Sequence, residues 1–128
     1  MADVTLKRFD ELESYQGQFL YAGRGLGVTA WGMNVLKLPP NWADYPDHDH
    51  AKEDQEEVYV VLAGSARLSA GGESWDLVPG ALVRVGAAQK RKIVPGRGGV
   101  TILALGGTPG KAYEPRWRSK AARQPGDK

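Results

Sequence analysis

The chain has 128 residues, 41% of them hydrophobic and 25% charged, which suits one soluble domain with a single core and excludes a collagen-like or wholly disordered chain. It has no cysteine, so disulfides, thiol catalysis and cysteine-based zinc or iron–sulfur sites are excluded and a cytoplasmic home is expected. The formal net charge of +2 is uneven: residues 111–128 hold six basic residues against Glu114 and Asp127, while residues 44–57 hold seven acids against Lys52, along with both histidines. No apolar run approaches the roughly 20 residues of a membrane helix, and the opening MADVTLKRFD lacks the apolar stretch of a signal peptide.

In chain order, FDELESY (residues 9–15) predicts a helical turn or two, and strand signals dominate from Phe19 to Leu105. Residues 28–38 (VTAWGMNVLKL) predict one long strand, ended by Pro39-Pro40. The run VYVVL (58–62) predicts a buried strand, 66–70 an alternating one, and Gly71-Gly72 a hairpin into 73–78. After Pro79-Gly80, strands are expected over 81–85, 91–94 and 100–105, the last two separated by 95–99. Many short strands with Gly/Pro turns argue for a sandwich or barrel. Trp31, Trp42, Tyr45, Tyr59 and Trp75 read as core or rim aromatics. Residues 1–110 read as the domain, and 111–128 as a basic tail, mobile from Arg116 onwards.

The sharpest chemical feature is His48-Asp49-His50. In extended chain, residues i and i+2 point the same way, so both imidazoles can approach one ion, and a carboxylate from a neighbouring strand completes a two-His-one-carboxylate set. Glu57, at the head of VYVVL, suits that role, whereas Glu56 should face the other way. The bland reading of 44–57 is a charged, solvated loop.

Other signals are weaker. Gly23-Arg24-Gly25-Leu26-Gly27 looks like a phosphate loop but is followed by strand pattern instead of a helix, so a hairpin or strand connection is expected. No serine sits in a Gly-x-Ser-x-Gly elbow. The basic tail beside Trp117 reads as solvated and not as a nucleic-acid contact, since the body is net negative.

His48-Asp49-His50 followed by Glu57 to Gly64 (EVYVVLAG) resembles the first motif of the cupins: His-x-His, a gap, Glu, six residues, Gly. Pro79-Gly80 followed by Gly86-Ala87-Ala88-Gln89-Lys90-Arg91 resembles the second. The resemblance implies an all-β, six- to eight-stranded jelly-roll barrel of the double-stranded β-helix type, often a homodimer, with motif residues lining its cavity. It also implies a divalent metal (Fe, Mn, Ni or Zn) on His48, His50 and Glu57, with dioxygenase or isomerase chemistry.

Two positions depart from the pattern. Residues 51–56 lengthen the usual gap of three or four, a change that costs little closure entropy; Asp54 fits the shorter gap and is the rival carboxylate. Arg91 stands where the last motif histidine belongs, with Gly86 and Ala88 in place of its Pro and Gly. If Ile93 points inward, so does Arg91, with Lys90 and Lys92 outward. A guanidinium about 4 Å from a divalent ion repels it by about 8 kcal/mol at an effective dielectric near 20. The leading expectation is therefore a small, anionic molecule held in a cavity lined by His48, His50, Glu57, Tyr59 and Arg91. The alternatives are a metal-dependent enzyme on His48, His50 and Glu57, and a structural dimeric barrel in which Arg91 pairs with Glu57. No nucleic-acid or membrane partner is expected.

Overall fold

The computed structural model describes residues 2–118. Its strands are β1 (Ser14–Tyr15), β2 (Phe19–Leu20), β3 (Gly32–Leu38), β4 (Glu56–Ala70), β5 (Glu73–Leu77), β6 (Leu82–Val85) and β7 (Lys92–Gly107). They form one antiparallel seven-stranded sheet in the order β1-β2-β3-β7-β4-β5, with β6 on the first part of β4. The sheet curls into a jelly-roll barrel through its two long members. The first part of β4 pairs with the end of β7 (Glu57 with Gly106), and its last part pairs with the start of β7 (Leu68 with Ile93).

The sequence reading split 58–62 from 66–70 and 91–94 from 100–105, whereas each pair is one continuous strand. Register shifts between Val61/Ala63 and Gly64/Ala66 bend β4 without ending it, as bulges do. Gly64 (φ +75) and Gly99 (φ +73) meet at this bend. A Cβ on Gly64 would run into the Gly99 carbonyl, and one on Gly99 would lie 2.7 Å from the Leu38 carbonyl oxygen. Pro95 is tolerated inside β7 because β3 pairs only with 100–106, so at Pro95 the strand has a neighbour on one side alone.

Other boundaries move for local reasons. β3 begins at Gly32 and not at Val28, and residues 28–31 approach it irregularly, with Trp31 about half exposed. β5 ends at Leu77 and β6 starts at Leu82, each one residue short of expectation. The expected helix over 9–15 is a single 3-10 turn, Phe9–Glu11, closed by Glu11 Oε1 accepting the Arg8 N–H; β1 follows at once. The glycine-rich segment, expected as a strand connection, forms a short helix, α1 (Ala22–Leu26), ended by Gly27 at φ +77. Its glycines serve packing: a Cβ on Gly25 would collide with Leu12, and one on Gly23 would press on Met33.

Alternation places the core. Glu57, Tyr59 and Val61 of β4 and Ile93, Ile102 and Ala104 of β7 point inward, joined by Phe19, Leu36, Leu38, Leu68, Leu77 and Val85. Each large apolar side chain buried here contributes about 1.5–3 kcal/mol. A smaller cluster of Leu20, Ala22 and Val35, with Leu12 and Met33, seats α1 on the other face of β3. Trp31 and Trp75 are about half exposed, while Tyr45 and Tyr59 are buried. Beyond residue 110, Pro115 is buried and Arg116–Arg118 form a 3-10 turn. The rest of the expected tail, 119–128, lies outside the described residues. No helix among the described residues is long and apolar enough to cross a membrane.

Candidate binding site in the barrel

One end of the barrel gathers the candidate residues. The segment before β4 runs antiparallel to the segment before β7: the His48 N–H donates to the Arg91 carbonyl at 3.0 Å, the Arg91 N–H returns to His48 at 2.8 Å, and the His50 N–H reaches the Ala87 carbonyl at 2.8 Å. This ladder brings the two motifs face to face. His48, His50 and Glu57 each offer a ligand atom, and these three atoms lie within 4.8 Å of one another. Glu56 points the other way and pairs with Arg84 on the outside. Asp54, the rival carboxylate, is exposed on a left-handed turn residue (φ 51) and takes no part. Lys90 is exposed and Lys92 half-buried, whereas Arg91 and Ile93 are fully buried.

The imidazole tautomers follow from their partners. His48 Nδ1 lies 2.9 Å from the Pro46 carbonyl, which only accepts, so Nδ1 carries the proton and Nε2 keeps its lone pair. His50 Nδ1 likewise donates to Glu53 Oε1 at 3.1 Å. Burial lowers the His48 pKa, keeping the ring neutral. Burial alone would raise the Glu53 carboxyl, but the hydrogen bond from His50 takes it below the usual value, so it stays an acceptor. His50 Nε2 is buried with no hydrogen-bond partner and faces Glu57 Oε1 at 3.6 Å.

Glu57 is held from below by a tyrosine chain. Burial, reinforced by the Glu57 charge, raises the Tyr45 pKa; burial, Tyr45 and Glu57 raise that of Tyr59. Both phenols therefore keep their protons. Tyr59 donates to Glu57 Oε1 at 2.5 Å, which leaves Tyr45 as the donor across the 3.1 Å Tyr45–Tyr59 contact. Tyr59→Phe is expected to lower stability by about 1–3 kcal/mol in denaturant melts, because the Tyr45 hydroxyl loses its buried acceptor and Glu57 a donor. A variant as stable as wild type would contradict this chain.

Arg91 completes the set. Its side chain is 0% exposed; Nη2 donates to the Gly86 carbonyl at 2.8 Å and Nη1 lies 3.9 Å from Glu57 Oε1. That separation leaves an ion pair without a hydrogen bond. Nη1 and Nε have no hydrogen-bond partner. The pairing expected between Arg91 and Glu57 is thus loose. Sequence reasoning missed Glu53, the Gly86 carbonyl and Asn34. The last is buried on β3 in register with Ala104, itself in register with Tyr59. A polar residue inside the apolar run VTAWGMNVLKL was the available signal for Asn34.

A jelly-roll barrel with a His-x-His and a glutamate at one end defines a cupin fold. No family model matches the sequence, and no curated protein matches it. Solved structures do. A cupin protein from Bacteroides fragilis superposes with a TM-score of 0.64 at 22% identity, over 93% of this chain and 99% of that one. A cupin-superfamily sugar phosphate isomerase from Silicibacter pomeroyi gives 0.63 at 22% identity, over 76% of this chain and 59% of that one. The cupin domain of Schizosaccharomyces pombe Cnp3 gives 0.64 at 12% identity, over 79% and 67%. The chain has the cupin fold.

The three donors fit a divalent cation. Both imidazoles tie off Nδ1 on a second partner, as metal-bound histidines do, and an Nε2 lone pair facing a carboxylate 3.6 Å away is stabilised by positive charge between them. At the fourth motif position the residue is Arg91, a cation that cannot ligate.

Proposed function

We propose that the barrel interior binds a small anionic molecule through Arg91. The observation that carries this reading is a fully buried guanidinium with two nitrogens, Nε and Nη1, lacking acceptors. Unsatisfied buried donors cost about 1–3 kcal/mol each, more for charged groups, and a carboxylate or phosphate oxygen on that edge of the fork removes the cost. In this reading His48, His50 and Tyr59 supply the remaining polar contacts. Glu57 sits close enough to repel a bare anion, so it selects ligands that also bring a hydroxyl or other donor.

The test is a melting-temperature screen of small carboxylates and sugar phosphates; the second class is suggested by the name of the Silicibacter neighbour. A ligand at about 100 times its Kd adds about 2.7 kcal/mol, a rise of about 10 °C for a chain of this size. Arg91→Lys keeps the charge but loses the planar fork, and is expected to abolish the shift. An undiminished shift in that variant would count against Arg91 as the anchor.

A second reading, favoured by the histidine tautomers and the buried Nε2 of His50, is a cation-dependent enzyme of dioxygenase or isomerase type. His48, His50 and Glu57 would hold the ion, which supplies Lewis-acid or redox chemistry when bound. Arg91 would then anchor the substrate's anionic group beside it. Protein purified without chelator should contain near-stoichiometric Fe, Mn, Ni or Zn under this reading; elemental analysis finding none, with no uptake on soaking, rejects it.

A further inference from the structure

We infer that Asn34 reads a hydroxyl group of the bound anion, so that the ligand class is hydroxylated anions and not anions at large. The inference rests on the anion-binding reading of the barrel interior and adds a specificity-determining residue to it. Tyrosines aside, the polar or charged side chains buried among the described residues are Asn34, His50, Glu57 and Arg91. Three of these are the candidate residues at one end of the barrel. Asn34 is the fourth, and alternation turns it inward: Leu36 and Leu38, on its face of β3, belong to the main core, while Met33 and Val35 pack on the other face.

Register sets Asn34 at the level of the site. Gly32, Gly106 and Glu57 form one row across β3, β7 and β4, and Asn34, Ala104 and Tyr59 form the next. The neighbours of Glu57 and Tyr59 are unequal. On the β6 side stand Val85 and Val83, which pack into the core; on the β7 side stand Gly106 and Ala104, with Gly32 beyond Gly106. Neither Gly32 nor Gly106 has a positive φ, so backbone conformation does not call for glycine there, and glycine inside a strand weakens it unless something must approach closely. An anion on the free edge of Arg91 lies beside Glu57, whose Oε1 is 3.9 Å from Nη1. From there the rest of the molecule extends over a strand wall that carries nothing larger than the Ala104 methyl. The first polar side chain along that wall is Asn34, two strands or about 10 Å from the strand of Glu57. An amide offers an acceptor and two donors, which suits a hydroxyl, and unlike Glu57 it carries no charge to repel the anion.

The test titrates the full-length protein with two series of acids, succinate, malate and tartrate, then propionate, lactate and glycerate, each adding one hydroxyl to the acid before it. Apparent Kd values come from the rise in melting temperature with concentration. Wild type is expected to gain affinity along at least one series. In Asn34→Leu, which keeps the volume and removes the amide, at least one of those gains should shrink about tenfold, while succinate and propionate bind within about twofold of wild type. Asn34→Ala, which adds no bulk, decides if Asn34→Leu does not fold. A purely structural amide would lower the melting temperature of the unliganded variants and leave every hydroxyl preference within about twofold of wild type. That result, or an equal loss of affinity for all six acids, overturns the role of Asn34 and leaves the anion-binding reading standing. No shift from any of the six in wild type removes that reading, and this inference with it.

Discussion

Arg91→Ala is expected to lower the unfolding free energy by about 3–5 kcal/mol, the range found when one partner of a buried charge pair is removed. Three losses combine. Glu57, 2% exposed, is left without the guanidinium 3.9 Å away; the Gly86 carbonyl loses its 2.8 Å donor; and a side chain with no solvent exposure leaves a void in the barrel. Denaturant melts measure the sum. Adding Glu57→Gln to Arg91→Ala should recover part of the loss, since a neutral amide needs no compensating cation. If Arg91→Ala costs less than about 0.5 kcal/mol, the guanidinium is not held in the barrel and the purely structural account of the pair fails with it.

Gly64→Ala should cost a comparable amount for a different reason. At φ +75 an L-residue pays about 1–2 kcal/mol for its Cβ, and here the Cβ also meets the backbone of Gly99, which has little room to retreat because it approaches the Leu38 carbonyl. Together these predict a loss of about 3–5 kcal/mol, or failure to fold. Gly72 is the internal control. It has φ +79 but nothing within 4 Å of an added Cβ, so Gly72→Ala should cost only about 1–2 kcal/mol. Equal losses at the two positions would mean that the strand bend at Gly64 and Gly99 is not a constraint on the barrel.

The contrast explains what the sequence made visible. Alternation within β4 was legible: Glu57, Tyr59 and Val61 face inward because period 2 leaves no other choice once Val61 is core. The same argument carried Arg91 inward with Ile93. Continuity was not legible. Gly64 and the Pro95 to Gly99 stretch look like strand ends, yet a bulge or an edge position lets a strand pass through such residues, and only the paired neighbour reveals it. The glycine-rich segment at 23–27 failed similarly: its glycines answer to Leu12 and Met33, contacts that local pattern cannot register.

In the site, the His-x-His and Glu57 could be read from spacing, but their supports could not. Glu53 is three residues from His50 in a loop whose acids all look alike, and the Pro46 and Gly86 carbonyls carry no sequence signal at all. Those supports decide the chemistry. They fix both histidine tautomers, and they leave two Arg91 nitrogens unmatched. The resemblance raised the question of whether Glu57 faces a metal ion or an arginine. The geometry gives it both: His50 Nε2 at 3.6 Å and Arg91 Nη1 at 3.9 Å face the same Glu57 oxygen, Oε1.

The most direct measurement of the central claim is a high-resolution crystal structure of the purified protein soaked with malonate, collected so that transition metals give anomalous signal. The account predicts carboxylate density within hydrogen-bond distance of Arg91 Nε and Nη1, whether or not an ion sits on His48, His50 and Glu57. A cavity in which Arg91 has swung away from that edge, or in which its free nitrogens are met by Glu57 alone with no anion admitted, would contradict it.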